Sequence, residues 1–302
     1  MIKASVIIPT YNRKRLLCDT LKNLIGHLPP GVEIIVVDQS EEVYSDLMEI
    51  VKSHSNTVHY YKIFIKGLPH ARNYGLNKAI GEVVIFCDDD IIPSDNFINN
   101  HLRNYKDKDV GGVGGRIIQN CEKHHSSPRL EYIEKTNKPY DNRVVGKVRW
   151  WDAHLTDNFD ATTKMYIDHV QGCNMSFKKE AITKTEGFDE HFGGSAHLEE
   201  TDLCMRIRKA GYKIAFDPDA ELVHLKDPEG GCRAENYKQW FYWYEHNNTL
   251  FFLKNFNSYL FPIFTISSFT RLILSACKRL SPMIVFWGIL GYCAGLKTYK
   301  SK

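Results

Sequence analysis

The chain has 302 residues, with 39 lysines and arginines against 36 acids, and is 43% hydrophobic and 25% charged. That length can bury a substantial core, and those fractions exclude a disordered chain. A formal net charge of +3 is too small to support nucleic-acid binding, and a mean hydropathy of −0.35 excludes a polytopic membrane protein.

The first ninety residues alternate between two periods. Residues 5–9 are an apolar run closed by Pro9, the pattern of a buried parallel strand. The N-terminal segment lacks the long apolar run and cleavage site of a secretory signal, so a cytoplasmic protein is expected. Leu16, Leu17, Leu21, Leu24 and Ile25 recur at helical spacing over 13–25, and Pro29-Pro30-Gly31 breaks the chain. Strands are predicted at 33–37, 58–63 and 83–87, with helices at 44–52 and 70–79 between them. Such alternation predicts an α/β fold with a parallel sheet and right-handed crossovers.

The pattern then weakens. A helix is expected at 95–104 and a glycine-punctuated strand at 110–118. Residues 121–160 are polar and irregular and contain Trp150 and Trp151. A long irregular stretch inside a compact domain tends to be functional. Pattern returns with a strand at 171–177, a helix at 200–210 stopped by Gly211, and short strands at 213–216 and 221–225. The eight cysteines are scattered and form no C-x-x-C, which favours buried thiols over disulfides or a zinc site.

Parallel sheets bind ligands at the carboxyl ends of their strands. Thr10-Tyr11-Asn12, Asp38-Gln39 and Asp88-Asp89-Asp90 all fall at such ends. Three adjacent acids repel one another and call for a counter-charge. A divalent cation with oxygen ligands supplies it, and Mg²⁺ or Mn²⁺ is usually shared with substrate phosphates. A solvated acidic turn before Pro93 is the plainer alternative.

Several segments together resemble the family 2 glycosyltransferases of the GT-A fold. They are Val6-Ile7-Ile8-Pro9-Thr10-Tyr11-Asn12, Ile35-Val36-Val37-Asp38, Ala71-Arg72-Asn73-Tyr74-Gly75 and Phe86-Cys87-Asp88-Asp89-Asp90. Gly172-Cys173-Asn174-Met175-Ser176-Phe177, Gly187-Phe188-Asp189-Glu190, Glu199-Glu200-Thr201-Asp202 and Val223-His224 continue the resemblance in the right order across residues 4–225. It implies a nucleotide-diphospho-sugar transferase domain over 1–225 and a helical extension over 226–302. It also implies inverting, metal-dependent transfer of one sugar from a UDP-, dTDP- or GDP-linked donor.

The resemblance assigns roles. Asp88 and Asp90 form the DxD pair that, with His224, holds Mn²⁺ or Mg²⁺ on the diphosphate. Pro9, Thr10, Tyr11, Asn12, Asp38, Gly67, Arg72, Asn73, Asp88 and Asp89 lie at the donor. The base that takes the acceptor proton is sought among Glu199, Glu200 and Asp202, with Glu200 first. These acids also suit a helix N-terminus through its dipole. Asn174, Trp150 and Trp151 are candidates for acceptor contacts. Two departures stand out: Gln39 follows Asp38 where a second Asp is usual, and Glu200 stands where Asp is usual.

A sugar nucleotidyltransferase is a second enzyme reading, but Pro9-Thr10-Tyr11-Asn12-Arg13 is not a glycine-rich phosphate loop. A non-catalytic nucleotide-sugar or glycan-binding module would be expected to have a broken acid set, and this one is whole.

The tail differs from the body. The last acid is Glu245, and seven basic residues follow it: Lys254, Arg271, Lys278, Arg279, Lys297, Lys300 and Lys302. Taking those seven from 39 leaves 32 basic against 36 acidic residues in the rest of the chain. Gln239-Trp240-Phe241-Tyr242-Trp243 has Tyr242 where processive synthases carry Arg, so transfer of a single residue is expected. Residues 259–276 are interrupted by Pro262, Ser267, Ser268 and Arg271, and 282–296 is short for a span. Two helices lying on an anionic inner leaflet, with a lipid-linked or cell-envelope glycan as acceptor, are the expectation. An ordinary helical subdomain covering the sheet is the alternative.

Overall fold

The computed structural model describes residues 3–119, 144–226, 230–231 and 236–301. The sequence readings over 121–143, Cys232 and Lys302 lie outside the described residues.

Three β-α units and a fourth strand open the chain. Strands β1 (Ala4–Thr10), β2 (Val32–Asp38), β3 (Val58–Lys62) and β4 (Val83–Cys87) are parallel, with helices α1 (Lys14–Gly26), α2 (Ser45–Ser53) and α3 (Leu68–Lys78) between them. β1 and β2 are buried along all seven residues, which is why both read as unbroken apolar runs. The chain continues through β5 (Ile91–Pro93), α4 (Phe97–Leu102), β6 (Val110–Gln119), the hairpin β7 (Lys147–Val148) and β8 (Leu155–Thr156), and β9 (Met165–Ile167). Next come β10 (Asn174–Lys178), α5 (Lys179–Lys184), α6 (Glu199–Lys209) and β11 (Lys213–His224).

The sheet order is β3-β2-β1-β4-β10-β6-β11-β5, with β9 also paired to β11. β10 runs antiparallel between β4 and β6, while β11 is parallel to β6. The result is the expected mixed α/β architecture with a mostly parallel sheet. Two expected strands, 213–216 and 221–225, are one strand interrupted by a bulge between Asp217 and Leu222. Gly115 allows it: a Cβ there would lie 2.5 Å from the Asn174 amide and closer still to the Ala220 carbonyl.

Helices α7 (Tyr237–Asn255), α8 (Phe261–Lys278) and α9 (Met283–Lys300) complete the chain. They are no loose tail. Leu250, Phe251 and Phe252 of α7, Phe264 of α8 and Tyr292 of α9 form a second core with Ala153, Phe192 and Leu198 from earlier in the chain. Lys254 donates to Asp202 (2.7 Å), and Asn247 donates to the Gly193 carbonyl (3.0 Å).

The stretch 258–278 is long and apolar enough to cross a membrane, with mean hydropathy 1.5. The sequence reading took it to be too interrupted. Pro262 sits in the first turn of α8, where it breaks no helical bond, so the helix runs on through it.

Candidate functional site

Chain connectivity gathers the site. The parallel strands β1, β2 and β4 end side by side, with Thr10 in register with Asp38. The chain leaves β4 through Asp88-Asp89-Asp90 and enters β5, which pairs antiparallel with the end of β11. That pairing sets His224 opposite Ile91, and the Leu225 N–H donates to the Asp90 carbonyl (2.9 Å). A histidine far away in sequence thus arrives at the acidic turn.

Asp88, Asp90 and His224 converge, with ligand atoms all within 4.8 Å of one another. His224 Nε2 lies 3.2 Å from Asp90 and 3.6 Å from Asp88. Two carboxylates and an imidazole suit Mn²⁺ or Mg²⁺. The donor set therefore fits the cation that the sequence implied. Burial alone would lower the His224 pKa, yet its hydrogen bonds to Asp90 and Cys173 push it up to about 11. Burial opposes ionisation of Asp90, but the bonds from His224 and Arg13 prevail and lower its pKa.

Asp89 points elsewhere. It accepts from Thr10 Oγ1 (2.6 Å) and lies 3.7 Å from Arg13. Burial pushes its pKa up to about 7 against the pull of Arg13. Arg13 is the residue that sequence reasoning missed. Its guanidinium is buried and donates to Asp90, so part of the counter-charge for the acidic turn comes from the chain itself. The signal was available: three acids at a strand end, and a basic residue just past the end of the neighbouring strand.

Two cavities meet at this cluster. The first, of 210 Å³, is lined by Pro9, Thr10, Tyr11, Arg13, Gln39 and the three aspartates, among others. The second, of 370 Å³, is lined by Arg72, Asp88, His197, Glu199, Glu200 and Lys226, among others. Asp88, His224, Leu68 and Ser195 belong to both.

The acids at the start of α6 divide by burial. Glu199 is fully buried and ion-paired with Arg72, which also donates to the Gly172 carbonyl (3.0 Å) and lies 3.8 Å from Asp88. Glu200 faces the second cavity, and burial raises its pKa against the pull of Arg72. Asp202 faces the other way. It accepts from Arg206 (2.9 Å), Lys254 (2.7 Å) and Asn255 (2.8 Å), which corrects its candidacy as a base: it anchors α7 to α6.

Other expected site residues are placed as follows. Asp38 is buried and accepts from the Ser40 N–H (2.8 Å) and the Tyr60 hydroxyl (2.9 Å), while its neighbour Gln39 lines the first cavity. Gln39 donates to the carbonyl of Gly67 (3.0 Å), whose φ of +139° opens α3. Asn12 adopts φ +56°, and its N–H donates to Ser40 Oγ (2.8 Å).

Three further expectations need correction. Asn73 exchanges hydrogen bonds with Phe188 and donates to Glu190, so it ties down the loop before α6 instead of facing the donor cavity. Asn174 is fully buried; it donates to the carbonyls of Arg116 and Ala220 (both 2.9 Å) and accepts from His101 (2.8 Å). Its amide is spent inside the sheet, not on an acceptor. Trp150 is 62% exposed and Trp151 lies under the Arg149 guanidinium (4.2 Å), and neither lines the two cavities.

An aromatic stack was not anticipated. His197, on the wall of the second cavity, stacks on Tyr244 (5.2 Å, 15°), which stacks on Trp240 (4.7 Å, 13°). Burial lowers the His197 pKa to about 4, so its imidazole is neutral.

Comparison with known proteins agrees with this geometry. Residues 5–184 match the family model described as "Glycosyl transferase family 2". The pre-mycofactocin glycosyltransferase of Mycobacterium tuberculosis is 26% identical over 222 residues, covering 73% of this chain but 42% of that protein. Among solved structures, GalNAc-T7 with UDP, GalNAc and Mn²⁺ superposes with a TM-score of 0.61 at 17% identity, over 83% of this chain and 50% of that one. A mannosyltransferase from Pyrobaculum calidifontis in complex with GDP-Man and Mn²⁺ superposes with a TM-score of 0.55 at 16% identity, over 99% of this chain and 87% of that one. The fold is therefore that of the GT-A glycosyltransferases.

Proposed function

The chain belongs to glycosyl transferase family 2, and from that premise we propose that it moves one sugar from a nucleotide-sugar donor to a hydroxyl acceptor, with inversion at the anomeric carbon. The observation that carries this reading is that Glu200 shares the second cavity with Asp88 and His224, two members of the Asp88–Asp90–His224 cluster. The first cavity takes the nucleotide, with Tyr11 and Gln39 beside the base and Thr10 behind it. The second takes the donor sugar and the acceptor hydroxyl.

Asp88, Asp90 and His224 would hold Mn²⁺ or Mg²⁺, which when bound neutralises the diphosphate and makes it a better leaving group. Arg72 adds a fixed positive charge beside Asp88, held in place by Glu199. The acceptor oxygen forms its bond to the anomeric carbon as the bond from that carbon to the diphosphate oxygen breaks. The acceptor proton passes to the Glu200 carboxylate. Burial makes that carboxylate more basic than an ordinary glutamate, which suits it to the task. His197, neutral at the same wall, can hydrogen-bond an acceptor hydroxyl without adding charge.

UDP-, dTDP- and GDP-linked sugars are the donor candidates. The acceptor fits a lipid-linked or cell-envelope glycan precursor, with the protein working at the cytoplasmic face of the membrane. The basic, acid-free tail supports that class.

Glu200→Gln is the test. The variant should bind donor and Mn²⁺ as the parent does, while transfer falls by about 10²–10⁴-fold. Asp90→Ala should lose Mn²⁺-dependent donor binding. Retained transfer in Glu200→Gln would overturn the assignment of the base.

A further inference from the structure

Helix α9 is seated on its neighbours through glycines. A Cβ at Gly295 would lie 2.6 Å from the His246 carbonyl oxygen, and one at Gly291 or Gly288 would run into the Tyr242 carbonyl or the Leu272 side chain. This seam fixes which face of α9 is inside. Met283, Phe286 and Leu290 are left pointing away from the protein. Helix α8 divides in the same way. Phe264, Ser268 and Leu272 are buried, whereas Ile263, Ile266, Ile273 and Leu274 are exposed at helical spacing. Between the helices, Leu280 stands 91% exposed at the tip of the turn.

Large apolar side chains thus line the outside of two neighbouring helices and their connection. Such a face marks an interaction surface. Its charges are of one sign: Lys278 and Arg279 sit at the tip, Lys297 and Lys300 lie near the end of α9, and no acid occurs after Glu245. A second copy of the same face would bring like charges together. An anionic lipid surface would complement both the charge and the apolar area.

Helix α8 is also tied to the body on its polar side. Ser267 donates to Asp152 (3.1 Å), Arg271 lies 3.6 Å from Asp152 and Ser268 donates to Glu245. Crossing a bilayer would carry Arg271 into hydrocarbon and strip these partners away. We propose that the outward face of α8 and α9, with Leu280 at its tip, is a docking surface for an anionic bilayer, on which the protein lies without passing through it. This deepens the glycolipid reading above and rests on it for the use to which the surface is put.

Flotation of the full chain with phosphatidylglycerol–phosphatidylcholine vesicles tests it, beside vesicles of phosphatidylcholine alone. The parent should float with the anionic vesicles, lose binding as salt rises, and be released by alkaline carbonate. Leu280→Ser with Phe286→Ser, and separately Lys278→Glu with Arg279→Glu, should each weaken binding by about tenfold or more. All of these side chains are exposed, so the fold should hold, and circular dichroism checks it.

Failure of the parent to float, or equal binding by the variants, would overturn the proposal. Retention after carbonate would show a spanning helix instead. A lipid-free dimer that the serine pair abolishes would assign the face to a second copy. Donor hydrolysis with Mn²⁺ is measured on the same samples: its absence beside intact flotation refutes the transferase reading and leaves the surface standing.

Discussion

Glu245 offers a quantitative test of how the helical extension is held. It is 1% exposed in the seam between α7 and α8, where Ser268 donates to one of its oxygens. Burial pushes its pKa up from 4.5 to about 7, against smaller opposing contributions from Ser268 and Arg271. The folded state therefore binds this proton more tightly than the unfolded chain. Its stabilising contribution is full below about pH 4.5 and is lost as pH rises through about 7. The gap corresponds to about 3 kcal/mol at about 1.4 kcal/mol per pH unit. Between about pH 5 and about pH 8 the parent should lose about 2.5 kcal/mol that Glu245→Gln keeps.

Urea unfolding of both proteins at the two pH values measures this. The difference between them cancels the titration of every group they share. Glutamine places an amide nitrogen where Glu245 Oε1 has no hydrogen-bond partner among the described residues. That adds a constant offset and leaves the pH slope untouched. A stability gap equal at both pH values would mean that Glu245 is ionised in the fold and solvated or paired with Arg271, and would refute the reasoning.

Two further outcomes are expected. Asn174→Ala should lower stability by about 3 kcal/mol in denaturant unfolding, because His101 and two strand carbonyls lose their partners, while the KM for acceptor stays unchanged. Arg13→Met should cost about 3–5 kcal/mol without metal, since Asp89 and Asp90 stay buried without their guanidinium. Added Mn²⁺ should restore part of that in a thermal melt, and an unchanged melting temperature would remove Arg13 from the electrostatic account.

The sequence made β1, β2 and β4 legible because burial on both faces leaves an apolar run, closed by Pro9-Thr10, Asp38 and Asp88 respectively. Asp88 and Asp90 were legible for the same reason: acids at the end of a buried strand have few other uses. Arg13 was overlooked: three acids at a strand end call for a counter-charge, but which basic residue meets them depends on which strands are neighbours. Asn73, Asn174 and Asp202 sit in motifs that resemble those of the family, yet each spends its polar atoms on partners within the protein. A letter in a motif says that a side chain is needed there, not which way it turns. The bulge in β11 was missed because Pro218 and Asp219 look like a turn between two strands, whereas both halves stay paired to β6.

The ring stack from His197 through Tyr244 to Trp240 has a consequence for where this enzyme can be cut. The family resemblance ends at residue 225, which makes that point look like the edge of a removable appendage. Yet the ring that fixes His197 from behind belongs to α7. A shortened chain ending before α7 would keep every acid that lines the two cavities and still lack the backing of one cavity wall. The smallest piece that keeps the wall of the second cavity whole therefore includes α7, and α7 in turn shares its core with α8 and α9.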